Sequence, residues 1–149
     1  MSSLPHTTVA TVIEREGKFL LVREKSDGLI VYNQPAGHLE NNETLLEAAI
    51  RETLEETSWH IELIDFLGVY QYTSPVNGIC YVRHCFVAKV LEQQADYALD
   101  EDIIDAVWLT LEEIRERVDE LRSPLVLQVV KDYLAGTRFP LSILRNDQA

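Results

Sequence analysis

The spacing of apolar positions changes several times along the chain, and each change marks a new element. Thr8–Ile13 and Phe19–Val22 are short β-branched and aromatic runs on either side of the polar pair Glu16-Gly17, the pattern of a hairpin. Ser26-Asp27-Gly28 interrupts it, Leu29–Tyr32 supplies another short run, and Pro35 and Gly37 predict a loop. From Glu43 to Thr57 there is no Gly or Pro, and Leu, Ala and Glu dominate, which predicts a helix. Asn41 or Asn42 is its expected N-cap, and Glu43 suits the positive end of the helix dipole. Ile61–Tyr72 and Ile79–Leu91 flank Ser74-Pro75-Val76-Asn77-Gly78 and read as a long hairpin. Ala106–Leu109 predicts another strand, and Thr110 caps a helix running through Ile114. Ser123-Pro124 opens a last helix that Gly136 closes. Strands with helices between them predict an α/β sandwich.

Length narrows this to one domain over residues 1–149, because 46% apolar residues supply a core for one unit and not two. The opening MSSLPHTTVA has neither a basic segment nor an apolar stretch, and no run approaches the roughly 18 apolar residues of a membrane span. A soluble, cytoplasmic chain without a membrane partner is the expectation, acting as a monomer or a dimer. Cys80 and Cys85, five apart on a strand, should point to opposite sheet faces as reduced thiols.

Charge excludes one class of partner and sets a puzzle for another. With a net charge of −12 and no basic patch, the chain is not built to grip a nucleic-acid polymer. Acidity also opposes phosphorylated ligands, unless carboxylates hold a divalent cation that reverses the local sign. Glu52, Glu55 and Glu56 are suited to that task, since positions i, i+3 and i+4 share one face of a helix. Like charges one turn apart are unfavourable alone, and a hard cation relieves them. Ligands that are all oxygen match Mg²⁺, with Mn²⁺ as a substitute, better than zinc. Arg51 is placed to pair with Glu55 at i+4 and Glu47 at i−4. Leu46, Ile50, Thr53 and Leu54 form the face expected to pack on the sheet. Ala48 and Ala49 are small enough to let a substrate or loop approach the acidic face.

The surrounding spacing sharpens this. Gly37, Glu43, Arg51, Glu52, Glu55, Glu56 and Trp59 fall in the order Gly, five residues, Glu, seven residues, Arg-Glu, two residues, Glu-Glu, two residues, apolar. The segment resembles the Nudix box, and the chain is identified as a member of the Nudix hydrolase family. Two positions depart from the box: Thr53 replaces an aliphatic residue and Ser58 replaces Gly at the helix end. Neither change removes a carboxylate. Tyr32–Glu40, Leu121–Leu125 and Gly136–Leu141 extend the likeness to the phosphatase NudJ subgroup.

The resemblance implies a mixed β-sheet sandwiched between α-helices. It implies that Glu52, Glu55 and Glu56 bind Mg²⁺ with the Gly37 carbonyl, and that Glu43 and Arg51 are chiefly structural. The activity implied is hydrolysis of nucleoside tri- and diphosphates and thiamine-type pyrophosphates, with release of orthophosphate. A pyrophosphohydrolase of ADP-ribose, dinucleoside polyphosphates or damaged nucleoside triphosphates is the alternative within the family. A non-catalytic nucleotide-binding module is the alternative outside enzymes, and the retention of all three glutamates speaks against it. Glu55 is the first candidate for general base, with Glu101 or Asp102 in the acidic loop Asp100-Glu101-Asp102 second. Tyr32 and Gln34 are candidates for ring contact, and Arg23 and Arg83 for phosphate clamping. Trp108 reads as core.

Overall fold

The computed structural model describes residues 4–146. The first two strands, β1 (His6–Arg15) and β2 (Lys18–Ser26), meet at the Glu16-Gly17 turn, where both residues adopt positive φ. They splay apart beyond Glu14 and Phe19, so that each founds its own ladder. β1 runs parallel to β6 (Cys80–Gln93), which pairs antiparallel with β5 (Trp59–Thr73). β2 lies between β3 (Leu29–Asn33) and β7 (Ile103–Thr110), antiparallel to both. β4 (Ala36–His38) pairs antiparallel with β1 and completes seven strands among the described residues. This is the mixed sheet expected, with α1 (Leu45–Thr57), α2 (Leu111–Glu116) and α3 (Leu125–Leu134) packed against it.

Two local expectations need correction. The Pro35/Gly37 segment is not a loop throughout, because its backbone hydrogen-bonds to β1 as β4. The α1 cap is Thr44 and not Asn41 or Asn42. Thr44 and Glu47 form a reciprocal capping box, with Glu47 N donating to Thr44 Oγ1 at 3.0 Å and Thr44 N to Glu47 Oε1 at 2.9 Å. Glu47 is thereby committed to the cap, and Arg51 pairs with other carboxylates.

The helix also sits rotated from its expected face. Ala48, Ala49 and Thr53 are buried, while Ile50 is 39% exposed. Ala48 and Ala49 pack with Val9, Phe66 and Phe86, so their smallness serves close approach of helix to sheet. Thr53 belongs there because its hydroxyl has partners: Oγ1 donates to the Ala49 carbonyl at 2.8 Å and lies 2.9 Å from Thr11 Oγ1. A polar residue at a family-apolar position is thus matched by a second threonine from β1.

Ser58 ends α1 with φ 65° and ψ 13°, the left-handed conformation that glycine adopts without strain. Ser58→Gly should therefore raise unfolding stability by about 0.5–1 kcal/mol, the relief of roughly 1 kcal/mol being offset in part by a hydrogen bond lost from Gln93. Urea unfolding measures it, and a lower midpoint would show that the serine hydroxyl outweighs its backbone.

The other helices and the long hairpin follow sequence. Thr110 caps α2 with a second capping box to Glu113. α3 lays Val126, Val129 and Val130 against a core built from Val12, Phe19, Leu21, Cys85 and Leu109. Cys80 and Cys85 are free, and only Cys85 is buried. Trp108 is half-buried, set edge-on to Trp59 with the Arg15 guanidinium 4.4 Å from its ring centre. Among the described residues no helix is long and apolar enough to cross a membrane.

Candidate metal centre and substrate cleft

α1 crosses the sheet so that its third and fourth turns meet β4 on one side and the loop before β7 on the other. Glu52, Glu55 and Asp100 each bring a carboxylate oxygen to a common point, with these atoms all within 4.8 Å of one another. The backbone brings the loop there: Asp100 N donates to the Glu55 carbonyl at 3.1 Å. The loop acid in the cluster is therefore Asp100, while the Asp102 carbonyl is used by Lys25 N.

Arg51 organises the carboxylates from one side. It donates through Nε and Nη2 to Glu43 at 2.6 and 3.0 Å, and through Nη1 to Glu52 at 2.6 Å and Glu55 at 3.0 Å. Nη2 also reaches the His38 carbonyl, tying helix to β4. The expected pair with Glu55 is present and the one with Glu47 is absent. Gly37 closes the other side, where a Cβ would overlap the Glu52 carboxylate. Glu56 lies deeper, 7% exposed, its Oε1 accepting from Ala36 N at 2.9 Å.

The electrostatics are those of a site short of positive charge. Burial pushes Glu56 up to about 9, with Glu24, Glu52 and Asp100 adding repulsion. Burial likewise raises Glu52 against the pull of Arg51, and burial with Glu55 raises Asp100. One arginine does not balance Glu43, Glu52, Glu55, Glu56 and Asp100. A hard divalent cation fits this all-oxygen donor set, and the missing side chain of Gly37 makes room for the Glu52 carboxylate within it.

Glu52 and Glu56 line a cleft of about 610 Å³ whose walls also include Gly37, Arg83 and Tyr81. Arg83 is buried and donates Nη2 to Asn33 Oδ1 at 2.7 Å. The remaining candidates lie elsewhere. Arg23 forms a two-pronged ion pair with Asp105 at 2.7 and 2.8 Å across β2 and β7. Tyr32 faces the α3 core and Arg117, and Gln34 is buried with its Nε2 donating to the Val126 carbonyl at 2.7 Å. Strand parity explains this: Leu29, Val31 and Asn33 line the cleft, as does Glu24 beside Arg23, so Arg23, Tyr32 and Gln34 are each the chain neighbour of a lining residue. Alternation alone gives both faces but not which one meets the cleft.

A glutamate-bearing helix beside a cleft in this mixed sandwich defines a Nudix hydrolase fold and site. The NUDIX domain model matches residues 4–129, and the chain belongs to that family of hydrolases, which generally use a divalent metal. Among curated relatives, phosphatase NudJ of Escherichia coli (strain K12) is 40% identical over 140 residues, covering 94% of this chain and 90% of the relative. Among solved structures, a NUDIX hydrolase from Nitrosomonas europaea superposes with TM-score 0.95 at 43% identity, covering 97% of this chain and 98% of that one. A second from the same organism gives 0.71 at 28% identity, covering 91% and 73%.

Proposed function

We propose that the protein is a magnesium-dependent phosphatase of nucleoside tri- and diphosphates and of thiamine-type pyrophosphates, releasing orthophosphate. The observation that carries the reading is the convergence of Glu52, Glu55 and Asp100, with Glu52 also lining a cleft of about 610 Å³. Similarity to phosphatase NudJ over most of both chains supports the substrate class.

Glu52, Glu55 and Glu56, with the Gly37 carbonyl and Asp100, are the groups to hold Mg²⁺, for which Mn²⁺ substitutes. A bound divalent cation supplies neutralisation of phosphate oxygens and acidifies the attacking water. Arg51 fixes the Glu52 and Glu55 carboxylates, so their geometry exists before substrate arrives. Glu55 has one oxygen engaged by Arg51 Nη1 and a second to accept the proton of the water. Arg83 faces the cleft with donors beyond the one given to Asn33, and these suit an anionic substrate phosphate.

Purified protein with Mg²⁺, offered ATP, ADP, thiamine diphosphate, ADP-ribose and diadenosine polyphosphates, should release orthophosphate from ADP and thiamine diphosphate. Excess chelator should abolish that release. Pyrophosphate from triphosphates alone, or hydrolysis undiminished by chelator, would overturn the proposal.

A further inference from the structure

Two of the four histidines meet where β4, β1 and β6 run side by side. His6 opens β1 and His38 ends β4; Thr8 is the residue paired with His38, so the two imidazoles lie on a diagonal across adjacent strands. His6 Nδ1 stands 2.9 Å from His38 Nε2, with the ring centres 5.0 Å apart. Tyr81, paired with His6 from β6, sets its ring edge-on to both imidazoles at 5.6 and 6.4 Å. Asn77 Nδ2 donates to the Tyr81 hydroxyl at 3.0 Å, so this aromatic support is itself held. Alternation along β4 sends His38 to the opposite side from Gly37, whose missing side chain is replaced by the Glu52 carboxylate. The pair is therefore separate from the cluster of Glu52, Glu55 and Asp100, and the function proposed above gives it no task.

A hydrogen bond between two neutral imidazoles uses one lone pair, and the same placement suits a metal ion that uses two. Two metal–nitrogen bonds of about 2.05 Å at a right angle put their nitrogens about 2.9 Å apart, whereas a tetrahedral angle needs about 3.3 Å. The observed 2.9 Å matches the right angle. Right-angled coordination by nitrogen belongs to Ni²⁺ and Cu²⁺, while Mg²⁺ keeps oxygen ligands. When such an ion enters, the proton between Nδ1 and Nε2 moves to the outer nitrogen of its own ring. Both inner lone pairs then reach the metal and both rings stay neutral. His6 is half-buried and His38 exposed, so water completes the coordination.

We infer that His6 and His38 form a second metal site, selective for divalent ions of the nickel and copper class and distinct in donor type from the all-oxygen centre. His38 also lines the cleft, so an ion held there adds positive charge to a wall that carries Glu40, Glu52 and Glu56. The other two histidines have separate partners. His84 Nδ1 donates to the Thr8 carbonyl at 3.1 Å, and His60 Nε2 lies 3.1 Å from Gln94 Oε1. His60 therefore provides an internal control.

The test needs no turnover, so it is independent of the proposed function. Chelator-stripped protein in excess Mg²⁺ is given one equivalent of Cu²⁺ and observed by pulsed EPR, and is titrated separately with Ni²⁺ by calorimetry. The wild type should show the nitrogen modulation of two imidazoles on copper. It should also bind one Ni²⁺ that His6→Asn and His38→Asn each bind ~10-fold more weakly or not at all, since removing a ligand costs at least as much as removing its support. His60→Asn should match the wild type. Thermal melts without transition ions check that the variants fold. The wild-type spectrum decides the donor type even where a variant does not fold. A copper signal without imidazole nitrogens would overturn the inference, as would Ni²⁺ affinity unchanged in both variants or a site lost in His60→Asn. The pair would then be only a hydrogen bond between neighbouring strands.

Discussion

Glu55→Gln is expected to reduce turnover by at least ~100-fold with Mg²⁺ at saturation, while the thermal midpoint stays within a few degrees of the wild type. The substitution keeps the volume of the side chain and a carbonyl oxygen for Arg51 Nη1, so the helix surface is retained. It removes one of three convergent charges and the proton acceptor of the proposed reaction. Since Glu52, Glu55 and Asp100 repel one another when no cation is bound, the variant should be no less stable than the wild type in chelator. Steady-state kinetics and melts with and without chelator check this. A variant that retained full turnover would remove Glu55 from the chemistry, and one that unfolded would assign it to structure.

Arg51→Met should lower stability by about 2–3 kcal/mol and turnover with it. Breaking a fully buried pair costs roughly 3–5 kcal/mol, and the 23% exposure of the Arg51 side chain places this one lower. The loss is concentrated at Glu43, whose carboxyl is held below its ordinary value first of all by the Arg51 hydrogen bonds. A depressed acid contributes stability that is present above its unfolded value and lost as pH falls through its folded one. The penalty of Arg51→Met should therefore be largest near neutrality and shrink at about pH 3, which urea unfolding at the two pH values measures. An equal penalty at both would mean that Arg51 acts by packing its stem and not by charge.

These residues also show how much of the site was legible beforehand. The three glutamates and Arg51 are legible because helical geometry converts sequence spacing into a shared face at short range, and Gly37 only through the motif whose resemblance implies it. The rotation of that helix did not declare itself. Its buried stripe is Ala48, Ala49, Thr53 and Glu56, with Ile50 outward, since a close helix–sheet approach selects small side chains over greasy ones. Thr53 departs from the family pattern, and the residue that matches its hydroxyl, Thr11, lies 42 residues away in sequence.

What the sequence determined by itself was the order of most strands and helices, the turn at Glu16-Gly17, the glutamate-bearing helix and the family, because each depends on residues within a few turns or on one long motif. The tertiary structure decided the rest. Only chain folding could choose Asp100 over Glu101 and Asp102, make Gly37 part of a paired strand, and set Glu24, Asn33 and Arg83 on one wall. Those choices rest on contacts between residues from 9 to 98 positions apart, and on which face of each strand the sheet turns toward the cleft, a parity that local alternation leaves open.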